Sequence, residues 1–147
     1  ASGRLLLGVT EQWPGEGGED RFIEQQTVYV SDDDGHQWHG PSIVPNPETP
    51  TVTGLPWRLN EGDFVELDNG TIVLYMREDG ERLSAFKSLS TDGGLTWEPL
   101  KSLNWDGQFS FVDAKLGWAV ARNEDKIALV STTNGALTWQ IIVPVMK

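Results

Sequence analysis

An octapeptide, SDDDGHQW at residues 31–38, returns as STDGGLTW at 90–97 and, more loosely, as TTNGALTW at 132–139. The first two share Ser31, Asp33, Gly35 and Trp38 with Ser90, Asp92, Gly94 and Trp97 at identical offsets. The third keeps Thr132 and Trp139, with Asn134 for the aspartate and Ala136 for the glycine. A unit repeated in this way buries its apolar surface against its own copies, which restricts the chain to an array of equivalent modules. The flanks repeat too. QTVYV (26–30), LSAFKSL (83–89) and KIALV (126–130) lead into the octapeptide as strand-like runs. Upstream lie GRLLLGVT (3–10), GTIVLYMR (70–77) and GWAVAR (117–122), preceded in turn by DFVEL (63–67) and QFSFVD (108–113), which alternate as half-buried strands do. DNG at 68–70 is a hairpin signal. The unit reads as strand, tight turn, strand, loop, strand, octapeptide turn, strand. That is a four-stranded antiparallel meander, and no segment shows a sustained helical period.

Three consecutive aspartates beside His36 and His39 raise the question of chemistry. Ser and Asp side chains bond to nearby backbone amides and so fold a turn on themselves, and glycine supplies a positive φ. The closing tryptophan then enters the next strand and buries its indole against a neighbouring unit, which contributes up to roughly 4–6 kcal/mol. Asp33 and Asp92 are therefore read as turn-formers. A calcium site at Asp32–Asp34 is the alternative, and the ligand spacing of an EF-hand loop is absent from it. His36 and His39 read as surface residues, because no third nitrogen or sulfur ligand accompanies them. The expectation is no bound metal and no cofactor.

Composition narrows the function. Eleven basic against 22 acidic residues give a net charge of −11, which disfavours nucleic acid and anionic membranes as partners. An anionic small ligand requires a few arginines gathered locally against that field. Without cysteine there are no disulfides and no thiolate metal sites. No run of about 18 apolar residues is present. The opening ASGRLLLG is too short in its apolar stretch for a signal peptide and reads as a processed or trimmed end. Two loops stand out: EQWPGEGGED (11–20), tipped by Trp13, and the proline-rich segment 44–60, which lengthens the spacing from Trp38 to Trp97 to 59 residues, against 42 from Trp97 to Trp139.

S-x-D-x-G-x-x-W resembles the Asp-box, or bacterial neuraminidase repeat, of the sialidase-like β-propellers, and NEGDFVELDNGTIVLYMRED followed by such a box is similar to the central part of a bacterial exo-α-sialidase. FVDAKLGWAVARNEDKIALVSTTNGALTW is also similar to propellers of the photosystem II assembly-factor type. Both relationships imply an all-β propeller. The sialidase resemblance further implies an extracellular or periplasmic setting, three arginines on a substrate carboxylate, a tyrosine nucleophile paired with a glutamate, and an aspartate acid/base. Residue by residue, it points to Glu61 as the paired glutamate and to Arg77 as one arginine. A guanidinium forks onto a carboxylate, and a carboxylate beside a phenol takes its proton. Trp57 and Arg58 are a candidate sugar-stacking and carboxylate-binding pair, with a loop tryptophan packed onto the propeller edge as the alternative. The departures are specific. No R-I-P motif is present, Tyr29 and Tyr75 lie in strand runs, and Arg122 sits in VARNED, which does not match the family pattern. Arg77 has the ordinary alternative of an ion pair with Glu78 or Asp79.

At roughly 45 residues per unit the chain holds three blades: about 1–45, 61–103 and 104–147, with 44–60 as an inter-blade loop. Three blades leave two open faces, whereas propellers close with typically four to eight. The expectation is a homodimer closing a six-bladed ring. Its ligand is expected to be a glycan or another small anion at the propeller mouth, with little or no hydrolysis. The alternatives are a non-enzymatic assembly propeller, or a sialidase whose site a partner subunit or further sequence completes.

Overall fold

The computed structural model describes residues 3–14, 22–47, 57–78, 84–99, 101–103 and 105–143. These form eleven strands in three antiparallel sheets, and no helix occurs among the described residues. The first sheet contains β1 (Leu5–Pro14), β2 (Phe22–Ser31) and β3 (His39–Ile43). In the second are β4 (Leu59–Glu66), β5 (Ile72–Glu78), β6 (Ala85–Ser90) and β7 (Lys101–Ser102). The third comprises β8 (Asp106–Phe111), β9 (Gly117–Asn123), β10 (Lys126–Thr132) and β11 (Gln140–Ile141). Within each sheet the spatial order follows the sequence order.

The first sheet has three strands, where the repeat predicts four. Its octapeptide lies between β2 and β3, as the other two lie between the third and fourth strands of their sheets. Thus β1–β3 correspond to strands two to four.

The octapeptides build one turn three times. Ser31 Oγ donates to Asp33 Oδ1 at 2.9 Å and accepts from the Gly35 amide at 2.9 Å. Ser90, Asp92 and Gly94 repeat this at 2.8 and 2.9 Å. So do Thr132, Asn134 and Ala136, at 3.0 and 2.9 Å. Gly35 and Gly94 take φ of 88° and 91°, and Ala136 takes 64°, a region that L-residues adopt at a cost. Because the turns match, ladder positions can be counted from them. Leu5, Ile72 and Gly117 stand opposite Ser31, Ser90 and Thr132.

Period-2 alternation then sends side chains to two junctions. Val28 and Val44 of the first sheet meet Leu59, Ile72, Leu74, Met76, Phe86 and Trp97 of the second, with Leu6 and Phe64 packed alongside. On the opposite face, Val65, Val73 and Tyr75 meet Ala136, Phe109, Phe111 and Trp139 of the third. β5 is buried at every position but Arg77, as befits a strand covered on both faces.

The three tryptophans do not share one environment, contrary to the reading that each buries its indole. Trp97 is 7 % exposed and donates Nε1–H to Ser42 Oγ on the first sheet at 3.2 Å. Trp139 lies edge-on to Tyr75 of the second sheet. Trp38 is 40 % exposed and bonds only locally, to Gly35 O at 3.1 Å. Trp97 and Trp139 thus lean on the preceding sheet, whereas no other described sheet packs on Trp38.

Candidate functional site

β4 reaches the site through an irregularity. Its pairing with β5 shifts register between Asn60 and Asp63, and Glu61 sits at φ 51°. A bulge of this kind re-aims a side chain. Here it brings the Glu61 carboxylate to 3.5 Å from the Arg77 guanidinium. Arg77 stands at the end of β5 remote from the octapeptide, opposite Asn60 and Ala85. Its Nε lies 3.9 Å from Oδ2 of Asp106, the first residue of β8. One arginine therefore spans the second and third sheets, between an exposed carboxylate of its own sheet and a buried one of the next.

Two small cavities flank this guanidinium. One, of about 170 Å³, is lined by Glu61, Asp63, Met76, Gln108 and Arg77. The other, of about 130 Å³, is lined by Arg77, Asp106, Gly107, Gln108, Val120 and Arg122. Arg122 is the penultimate residue of β9 as Arg77 is of β5. Both stand five residues beyond the position opposite the octapeptide's first residue. Arg122 forms no ion pair among the described residues, and Asp106 Oδ1 is buried without a hydrogen-bond partner among them. Local desolvation raises the Asp63 pKa above the ordinary carboxylate value. Beside the ion-paired Arg77, Arg122 offers a guanidinium fork for a carboxylate, and Asp106 Oδ1 offers one buried acceptor for a hydroxyl.

The other candidates lie elsewhere. Trp57 is 7 % exposed and packs edge-on against Phe86 with centroids 5.2 Å apart. Its faces are buried in the junction core, so it is not a sugar platform. Arg58 binds the buried Glu24 at 3.4 Å, which Asn60 and Gln12 also approach. It lines neither cavity beside Arg77. Tyr75 is fully buried and donates to Ala136 O at 3.0 Å; burial pushes its ionisation well above the usual phenol range. Tyr29 lies 3.4 Å from Glu11 Oε1, but on the face of the first sheet turned away from Arg77. Of the alternative partners for Arg77, Glu78 is buried at the end of β5, and Asp79 is outside the described residues.

Two of the three aspartates of the first octapeptide are engaged by protein groups. Asp32 pairs with Arg4 at 2.6 Å, which holds its carboxyl below the usual range. Asp33 accepts the Gln37 amide at 2.8 Å. Among the described residues no group of three His, Asp or Glu side chains is placed to hold a metal ion.

No family model matches the chain. Sialidases from two strains of Vibrio cholerae serotype O1 are 33 % identical to it over 94 residues, 58 % of this chain and 12 % of theirs. A protein of unknown function from Dyadobacter fermentans superposes with a TM-score of 0.69 at 20 % identity, over 97 % of this chain and 38 % of the other. A Hadza microbial sialidase gives 0.52 at 21 % identity, over 82 % of this chain and 25 % of its own. NanB sialidase from Streptococcus pneumoniae also gives 0.52, at 13 % identity, over 96 % and 26 %. Sialidases of this kind are β-propellers, so the likeness shows the fold of this chain as sialidase-like propeller sheets. The chain spans about an eighth of the length of the curated relatives it matches.

Proposed function

We propose that this chain carries part of the mouth of a sialidase-like propeller and binds an acidic sugar through its carboxylate, without hydrolysing it. The observation that supports this most is the pairing of Arg77 and Arg122 at equivalent ends of adjacent sheets, on one cavity that also exposes Gln108 and borders Asp106. Two guanidinium groups a sheet apart suit a planar anion. The unpartnered Asp106 oxygen suits a ring hydroxyl. The octapeptide turns fit the Asp-box of that family and place this cavity at the sheet ends opposite to them. Binding is favoured over turnover because neither of the two tyrosines lines the cavity. Tyr75 holds its proton against Ala136, and Tyr29 lies on a different face.

The test is titration with N-acetylneuraminic acid by calorimetry, with neutral galactose as control and a fluorogenic sialoside assayed in parallel. Binding of the acid alone is expected, with Arg77→Ala and Arg122→Ala each weakening it about tenfold or more, the worth of a lost charged hydrogen bond. Equal binding of galactose, or affinity indifferent to both substitutions, overturns the reading. Turnover abolished by Arg77→Ala replaces binding with catalysis.

A further inference from the structure

Each outer sheet leaves one face open, and the two open faces differ in kind. On the first sheet the open face carries Leu5, Leu7 and Trp38, between 40 % and 47 % exposed, with Ile43 beside them. Counted along the ladders from the octapeptide, their counterparts in the second sheet are Ile72, Leu74 and Trp97. All three are buried, and all belong to the core formed against the first sheet. The open face of the first sheet is thus of the type that packs onto a preceding sheet. On the third sheet the open face carries Trp118, Val120 and Leu129. Counterparts of the first two are Val73 and Tyr75, buried under the third sheet; Leu129 corresponds to Val28, buried under the second. This is the type of face that receives a following sheet. One chain therefore bears both halves of a junction that it already makes twice.

We propose that a second copy of this chain occupies these faces, the first sheet of each docking head to tail on the third sheet of the other. Trp38 then lies on Val120 as Trp139 lies on Tyr75. Continuity of register with the two internal junctions is the main support. Charge agrees with it: Glu11 belongs to the open face of the first sheet and Arg122 to that of the third, one ladder level apart. Formation of both junctions at once closes the pair into six sheets, within the four to eight of closed propellers, and leaves no face for a third copy. It also walls the open side of the cavity beside Arg122. The inference stands independently of the ligand proposed above.

Light scattering on the whole chain at tens of micromolar tests it. The expected mass is twice the 16.3 kDa of one chain. A mass of one chain overturns the proposal, as does a mass that climbs past two chains with concentration. Trp38→Asp and Val120→Asp are each expected to give single chains with unchanged circular dichroism. An equimolar mixture of the two regains pairs, because each mutant keeps the face the other has lost. Should either variant alone still pair, the faces dock like on like and the head-to-tail arrangement is wrong. Leu7→Lys repeats the test on the Trp38 face if Trp38→Asp fails to fold.

Discussion

Trp97 and Trp38 close the same octapeptide at the same offset, yet one is core and the other surface. The turn beneath them is alike in both, with Ser and Asp side chains folded onto backbone amides at nearly equal distances. What differs is whether a sheet stands in front. The octapeptide sets the direction of the indole, and its burial is set by the neighbour. In a repeated architecture the sequence of one unit fixes its shape but not its energy, since much of the energy resides in junctions shared with adjacent units.

The largest test of that contrast is substitution of the indoles. Trp97→Ala empties a junction and is expected to cost about 3–5 kcal/mol in urea unfolding. Trp38→Ala, measured at concentrations that favour single chains, is expected to cost about 1 kcal/mol or less. Equal losses would mean that the octapeptide itself, not the neighbour, holds the energy. A smaller contrast compares Tyr75 with Val120, which occupy the same ladder level in adjacent sheets. Tyr75→Phe leaves the buried Ala136 carbonyl without its donor and is expected to cost about 1–3 kcal/mol. Val120→Ala is expected to stay within about 0.5 kcal/mol under the same conditions.

The smallest contrast is one of pH. Hydrogen bonds from the Thr96 hydroxyl and amide, followed by those from Ser90 and Leu95, lower the Asp92 pKa from its ordinary value to about 2. A carboxylate with a depressed folded pKa contributes fully above the unfolded value of about 4 and loses that contribution as pH falls through the folded one. Asn134 stands in its place in the third turn and does not titrate. Hydrogen exchange, corrected for intrinsic rate, should therefore show protection of the Thr96 amide falling between pH 4 and pH 2. The Thr138 amide, bonded to Asn134 Oδ1 at 3.0 Å, should keep its protection until global unfolding. Parallel loss at both amides would sink the assignment.

The all-β architecture was legible because turn chemistry is local: an octapeptide that folds on its own side chains announces a strand on each side. The DNG hairpin is equally local, with the Gly70 amide on Leu67 O at 2.8 Å. Properties set across sheets were not legible. Trp57, in a proline-rich loop, reads equally as a sugar platform or as a packed tryptophan, and the fold decides between them by turning it into the first junction. The start of β4 is hidden because the bulge at Glu61 and Gly62 breaks the alternation that DFVEL displays. Arg77 and Arg122 stand 13 and 10 residues before their octapeptides. Counting back from the repeat therefore separates two residues that occupy the same ladder level. The three-residue difference falls between the second and third strands: Arg77 pairs with Ala85, eight residues on, whereas Arg122 pairs with Ile127, five residues on, across a tight turn at Glu124 and Asp125. Ladder registers reveal that equivalence, and a linear motif does not.

Among the described residues, apart from an isolated bridge between Glu24 and Arg58, every ladder joins strands that are neighbours along the chain. The entropy of loop closure is accordingly modest for each meander, and collapse can begin in any of the three without waiting for distant segments to meet. Docking of one finished meander on the next then becomes the late event. Mutations at the indoles should accordingly quicken unfolding more than they slow refolding, which makes the lifetime of the assembled array, rather than its speed of formation, the property that its tryptophans govern.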